Sequence, residues 1–242
     1  DLSSGCSASS TQSVTINSLD DASFSYASNS YCQSGSDPSP TVTGLNGGTF
    51  SSTTGLSINT TTGAIDLDAS TVGTYTVTYA TSGACPNSST QSVTIALDED
   101  ATFAYSASSY CADPSDPNPT NPTPTISGTT GGVFSSTAGL SINAATGEID
   151  LDASTAGTYV IGFVTSGSCP NSSIQTLTVN AAPTVAISGT LSYCAGSNTT
   201  LTATAGLSSY LWSSGETTQS ITANAGSYTV TGTDANGCSN TS

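Results

Sequence analysis

Residues 63–80 read GAIDLDASTVGTYTVTYA, and the second half of that stretch decides the fold. Tyr75, Val77 and Tyr79 alternate with Thr, so an extended chain puts the apolar rings and the valine on one face and hydroxyls on the other. That is the pattern of a half-buried antiparallel strand. Phe24 with Tyr26, Val14 with Ile16, Val93 with Ile95, and Leu177 with Val179 repeat it, each run bounded by Ser, Asn, Gly or Pro. No helical stripe is visible, and no run of 18 apolar residues is present to span a bilayer. The expected class is all-β. The segment before the strand, D-A-S-T-x-G-T-Y at 68–75 and again at 152–159, reads as a tyrosine corner, in which the Tyr hydroxyl satisfies backbone a few residues upstream.

The stretch also recurs. GAIDLDASTVGTYTV at 63–77 returns as GEIDLDASTAGTYVI at 147–161, and GGTFSSTTGLSIN at 47–59 returns as GGVFSSTAGLSIN at 131–143, an offset of 84 residues. Upstream of Phe50 the offset is 79, and a five-residue insertion in DPSDPNPTNPTP accounts for the difference; such insertions belong in exposed loops. A third module joins the series once positions are counted from the cysteines. Ser-Tyr-Cys occurs at 30–32, 109–111 and 192–194, and an aromatic follows 18 residues after Cys32 (Phe50) and after Cys194 (Trp212). Gly-x-Tyr places Tyr75, Tyr159 and Tyr228 ten residues before Cys85, Cys169 and Cys238. The modules are therefore set at 18–97, 98–181 and a divergent 182–242. CSASSTQSVTI at 6–16 matches CPNSSTQSVTI at 85–95, so residues 1–17 read as the closing segment of a preceding module.

Composition excludes much chemistry. The chain has no Lys, Arg, His or Met, and 16 Asp and Glu give a formal charge of −16. Phosphate neutralisation, and with it nucleic acid or an anionic membrane surface, is disfavoured. Ser–His–Asp, Cys–His and Schiff-base chemistry cannot be built from these residues. The chain is expected not to be an enzyme. Asp66 with Asp68, and Asp150 with Asp152, imitate a paired-carboxylate site but recur in two modules at a strand-to-turn transition, which suggests structural hydrogen bonding.

Seven cysteines without metal-ligand spacing suggest a disulfide framework. The module plan pairs Cys32 with Cys85, Cys111 with Cys169 and Cys194 with Cys238. Closing such a loop of about fifty residues contributes about 4 kcal/mol in the chain-entropy model. Cys6 is left over: either its partner lies upstream of the chain, or it is free or intermolecular. Because the second Cys follows the Tyr by ten residues rather than the two of immunoglobulins, the bridge is expected to tie strand ends at one pole of the module.

Acidic residues gather at the module junctions, Asp20 and Asp21 at one and Asp98, Glu99 and Asp100 at the next. Carboxylates with nearby loop carbonyls are the donor set of a hard cation, so these five are the candidate calcium ligands; a solvated acidic linker is the alternative. No other cofactor is implied. Tyr210 and Trp212 are a candidate glycan-binding pair, but Trp212 aligns with Phe50 and Phe134 and is expected in the core. The Asn-x-Ser/Thr sites at Asn59, Asn87, Asn171 and Asn198 are no more than this composition produces by chance.

GLSIN-x-x-TG-x-I-D-L followed by GTYTVTYATSG-x-CP resembles the Ig-like repeats of large Bacteroidota surface proteins, and SYCAGSNTTLTATAGLSSYLWSSGETTQSITANAGSYTVTGTDANGCSNT resembles the PKD-like or Ig-like modules found beside them. The resemblance implies a tandem Ig-like β-sandwich region of an extracellular, cell-surface adhesin, similar to the gliding-motility adhesins of flavobacteria that leave by type IX secretion. A stalk or filament is then the expected role, with neighbouring modules as first partners and polysaccharide or solid surfaces as distal ones. A carbohydrate-binding module and an accessory region of a secreted enzyme are the alternatives.

Overall fold

The computed structural model describes residues 9–112, 120–192, 194 and 196–242. The described chain is all strand and turn, and it divides into two compact units, Asp1–Asp98 and Glu99–Ser242. The first holds one sandwich and the second holds two, each with its own apolar cluster.

In the first unit the strands are β1 (Phe24–Ser25), β2 (Ser30–Cys32), β3 (Thr41–Val42), β4 (Thr49–Ser52), β5 (Ser57–Ile58), β6 (Ile65–Asp66), β7 (Gly73–Ala80) and β8 (Ser88–Ala96). The larger sheet has the order β2-β8-β7-β4, faced by the short pairs β1-β3 and β5-β6. β7 is the stretch that opened the sequence, and its burial alternates as the Tyr/Thr pattern requires. Tyr75, Val77 and Tyr79 point into the core with Val93 and Ile95 of β8 opposite. β8 is closed on its other side by β2, which runs parallel to it with Cys32 opposite Ala96. Phe24, Phe50 and Tyr79 form an edge-and-tilt aromatic cluster at the centre.

The second unit begins with the same plan: β9 (Phe103–Ala104), β10 (Ser109–Ala112), β11 (Thr125–Ile126), β12 (Gly132–Ser136), β13 (Ser141–Ile142), β14 (Ile149–Asp150), β15 (Gly157–Thr165) and β16 (Ser172–Ala181). Its large sheet is β10-β16-β15-β12, again with a parallel first pair in which Cys111 lies opposite Asn180. The last sandwich has two three-stranded sheets, β17-β18-β20 and β19-β21-β22, built from β17 (Ile187–Gly189), β18 (Thr199–Ala203), β19 (Ser209–Trp212), β20 (Ser220–Ala223), β21 (Val230–Thr233) and β22 (Ser239–Thr241). The tandem Ig-like sandwich expected from sequence is the observed fold. Most of the Pro-rich insertion lies outside the described residues.

Both expected tyrosine corners are present. Tyr75 Oη donates to Thr71 O at 2.6 Å and Tyr159 Oη donates to Thr155 O at 2.5 Å. One glycine position needs its lack of a side chain: Gly63 has φ +73°, and a Cβ there would stand 2.6 Å from Pro40 and 2.9 Å from Phe50, with Gly147 in the same state. The carbonyl of each glycine accepts from a half-buried tyrosine, Tyr26 or Tyr105.

The cysteine pairing differs from the expected one. Cys111 is bonded to Cys238, not to Cys169, with Cα atoms 5.5 Å apart; Cys85 and Cys194 are free thiols, so neither Cys32–Cys85 nor Cys194–Cys238 forms. Cys32 and Cys169 are each disulfide-bonded as well. The physical reason is the parallel pairing of the Ser-Tyr-Cys strand. It sets Cys111 beside the last residues of β16, whereas Cys169 precedes the first residue of the same strand. Ten extended residues separate the two ends of β16, a span of roughly 30 Å at about 3.3 Å per residue. A disulfide tolerates Cα separations of only about 4.4–6.8 Å. The two cysteines of such a module sit at opposite poles, and the bond that Cys111 makes joins its module to the next. Cys6 lies outside the described residues.

Candidate functional site

The five candidate calcium ligands are held by local hydrogen bonds. Asp20 Oδ2 accepts from Thr81 Oγ1 and from the Gly83 amide, both at 3.0 Å, while its own amide donates to Cys85 O. Glu99 repeats the arrangement, accepting from the Gly167 amide at 3.1 Å, and hydrogen bonding led by the Thr165 hydroxyl holds its carboxyl below the usual range. Asp21 caps a turn by accepting from the Ser23 amide at 2.9 Å and the Ser23 hydroxyl at 2.5 Å; Asp100 does the same with Thr102. Those bonds depress both carboxyls. Asp98 accepts from Ser34 Oγ at 2.9 Å. Among the described residues no three acidic, His or Cys side chains converge on one point that could hold a metal ion. Asp20 and Glu99 tie the start of each module to the loop before its closing strand, whereas Asp21 and Asp100 cap local turns. The sequence offered their type and spacing but not their partners, which are 61 to 68 residues away for Asp20 and Glu99.

Asp66 and Asp150 serve the tyrosine-corner segment. Each accepts from an amide three residues on, Ala69 or Ala153, at 3.0 Å, and each carbonyl accepts from a buried serine hydroxyl, Ser70 or Ser154, at 2.6 Å. Those hydroxyls in turn accept from the amides of Ser57 and Ser141. Trp212 lies in the core, 2% exposed, with Nε1 donating to Thr218 O at 2.8 Å, and Tyr210 packs against the same cluster. Neither ring of that pair is free to form a glycan platform.

Among the described residues strand edges, two free thiols and several surface grooves remain open, one groove in the third sandwich among them. The groove, of about 640 Å³, lies in the third sandwich and is lined by Leu191, Cys194, Leu201, Ala223, Gly226 and Tyr228. Its position follows from the register of the other modules. In β7–β8 the pairs run Tyr79–Ser89, Thr78–Thr90, Val77–Gln91, Thr76–Ser92, Tyr75–Val93, Thr74–Thr94 and Gly73–Ile95. In the third module Gly232 stands four residues after Tyr228, as Tyr79 does after Tyr75, and it pairs with Asn240; Thr231 pairs with Thr241, and the Ser242 amide donates to Val230 O. β22 thus supplies the first part of a closing strand. Among the described residues Gly226–Thr229 carries no strand pairing. Ser192 and Cys194, the counterparts of residues that run parallel to the closing strand in β2 and β10, line the other side of the groove.

The converse feature is in the first unit. Residues 9–16, SSTQSVTI, are identical to 88–95 of β8, yet form no strand. Val93 and Ile95 are 1% and 0% exposed; their counterparts Val14 and Ile16 are 88% and 93% exposed. Cys85, half-buried, has its sulfur 3.9 Å from Asn17 O, at the end of that segment.

No helix among the described residues is long and apolar enough to cross a membrane. No family model matches the chain, and no curated protein matches it. Solved structures similar to it include mouse cadherin-23 EC22–24, at 12% identity over 92% of this chain and 97% of that one with a TM-score of 0.33. Mouse PcdhgC3 EC1-3 matches at 12% identity over 66% and 68% with a TM-score of 0.29, and Drosophila N-cadherin EC1-4 at 16% over 66% and 49% with a TM-score of 0.30. All three are distant likenesses of sandwich architecture, and nothing about ligand or partner follows from them.

Proposed function

We propose that this chain is a structural segment of an extracellular stalk or filament, part of a bacterial surface adhesin that holds a distal binding region away from the cell. The observation that carries the reading is the Cys111–Cys238 bond, which staples one sandwich to the next. A bond inside a module would stabilise that module alone; a bond between modules resists their separation and bending, which is what a load-bearing string requires. Disulfide formation fits an oxidising, extracellular setting. The charge of −16 with no cation opposes collapse and non-specific association, within a screening length of about 8 Å at physiological salt. The absence of Lys and Arg also denies trypsin-like proteases a cleavage site.

The turn-bound carboxylates, the buried tryptophan and the missing His, Lys and Arg all favour a non-catalytic role. The sequence resemblance extends the reading to a Bacteroidota surface protein exported by type IX secretion and used in attachment or gliding. Its partners would then be neighbouring modules and, distally, polysaccharide or a solid surface.

Immunogold electron microscopy of native cells tests this. Antibodies to residues 18–181 are expected to decorate threads projecting from the surface, with beads spaced about 30–40 Å, since strands of nine or ten residues rise about 3.3 Å per residue. Label confined to compact particles or to the cell interior would contradict it.

A further inference from the structure

The outer face of the second sandwich differs from that of the first. At four equivalent positions of the large sheet, 84 residues apart, Thr49, Thr76, Ala80 and Thr90 of the first sandwich give way to Val133, Val160, Val164 and Ile174 in the second. These four side chains are between 41 and 73% exposed. Among them, where the first sandwich has Thr78, stands Gly162. We propose that two copies of this chain pair through this face about a two-fold axis, with Ile174 of each copy seated over Gly162 of the other. The contact runs across chains and so lies beyond the stalk reading, which concerns links along one chain.

Strand register builds the patch. Val133 lies directly across from Val164, and Ile174 directly across from Gly162, with Val160 and Val164 two residues to either side of that glycine on β15. Tyr159, Ile161 and Phe163 alternate with them and fill the core, so the outward side chains have no task inside the module. A Cβ at Gly162 would meet only Ser135 Oγ at 3.3 Å on its own face, with Ile174 Cγ2 at 4.0 Å. The glycine therefore leaves a hollow beside the most exposed knob of the patch. A knob next to a hollow on one surface is self-complementary, because in an isologous contact each residue meets its partner twice, once from either side. The axis that achieves this runs along the strands between β15 and β16, the middle of the order β10-β16-β15-β12. It also sets Val160 and Val164 over Thr176 and Ser172 of the other copy, the residues they pair with in their own sheet. Two sheets of the same twist stack face to face in this way about 10 Å apart.

Charge points to the same occupant. The chain carries −16 with no cation, so copies repel one another over much of their surface. Yet β10, β12, β15 and β16 contain no Asp or Glu. On this face two copies meet without opposing carboxylates, whereas a cationic partner finds nothing here to hold it. Area sets the strength. Strands of nine and ten residues flanked by strands of four and five cover roughly 450 Å² per copy, at about 3.3 Å per residue and about 4.8 Å between strands. The pair then buries roughly 900 Å², the size of a weak, reversible contact.

The test uses residues 1–242 with Cys6→Ser, Cys85→Ser and Cys194→Ser, so that only non-covalent pairing is read. Sedimentation equilibrium from about 10 μM to about 1 mM spans the range of a weak contact. Reversible monomer–dimer exchange is expected, strengthening as NaCl rises, because salt screens the repulsion between like-charged copies and leaves the apolar contact in place. Gly162→Thr fills the hollow with the residue that the first sandwich carries there, and should weaken pairing at least about tenfold. Its melting temperature should hold or rise, since glycine weakens a strand interior. The chain with Val133→Thr, Val160→Thr, Val164→Ala and Ile174→Thr, which restores the face of the first sandwich, should lose pairing to the same extent. A chain monomeric throughout that range, a dimer indifferent to either variant, or one that dissociates as salt rises would overturn the proposal. So would a monomeric chain that binds an alkyl-coated sensor through the same four residues, which would make an apolar surface the occupant. Peptide mapping of Cys111–Cys238 reports on the stalk reading separately in every case.

Discussion

The first two sandwiches and the third share a two-sheet plan but differ in their sheets and in their cores. In the first two, a closing strand of nine or ten residues runs between a parallel Ser-Tyr-Cys strand and an antiparallel Gly-x-Tyr strand. In the third, β22 holds three residues and pairs with β21. Its core is correspondingly smaller, six buried residues against eleven and twelve.

The largest expected effect breaks that comparison from within the core. Trp212→Ala should destabilise the third sandwich by about 3–5 kcal/mol, because it leaves a large cavity in the smallest core. Calorimetry should show that transition lost or shifted sharply downward, with the transition of residues 18–98 unmoved. Next comes the staple: Cys111→Ser should lower the melting transition of the third sandwich by the equivalent of about 2–4 kcal/mol. Cys85→Ser in the first sandwich should cause no such loss, since that thiol is already free. A smaller effect sharpens the likeness of the first two modules. Tyr75→Phe and Tyr159→Phe each remove the hydroxyl that donates to the threonine carbonyl and also bonds that threonine's Oγ1, and each should cost about 1–2 kcal/mol of its own module and nothing of the other.

The pH dependence should have two edges. Asp21, Glu99 and Asp100 have carboxyls depressed by donated hydrogen bonds, so their contribution is present above the ordinary carboxylate range and is lost as pH falls through the lowered folded values. Tyr26 and Tyr105 are pushed upward by burial, so their contribution is present below the ordinary tyrosine range near pH 10 and is lost at higher pH. With no His or Lys to titrate, melting temperature measured by circular dichroism should be flat from about pH 5 to 9 and fall outside that window. Smallest of all is the response to chelation: because the junction carboxylates already accept amide and hydroxyl donors, excess EDTA should leave every melting transition in place.

The sandwiches were legible because their signal is local. Alternation in Tyr75–Tyr79 fixes which face is buried, and the 84-residue recurrence fixes how many times the plan is used. The tyrosine corner and the burial of Trp212 were likewise readable, since both follow from spacing within a strand or its turn. The disulfides were not. Their partners depend on a parallel pairing between strands far apart in sequence, which sends the two cysteines of a module to opposite poles. The acidic junction was half legible: composition marks Asp20 and Glu99, but only the fold brings Gly83 and Gly167 to them.

The central claim is that the bond of Cys111 runs between modules rather than within its own. Peptic digestion of the unreduced protein, followed by mass spectrometry of the disulfide-linked peptides, measures this directly. The expected product joins the peptide containing Cys111 to the one containing Cys238 and leaves Cys85 and Cys194 alkylatable in the monomer. A peptide joining Cys111 to Cys169 would place the bond inside the module and contradict it.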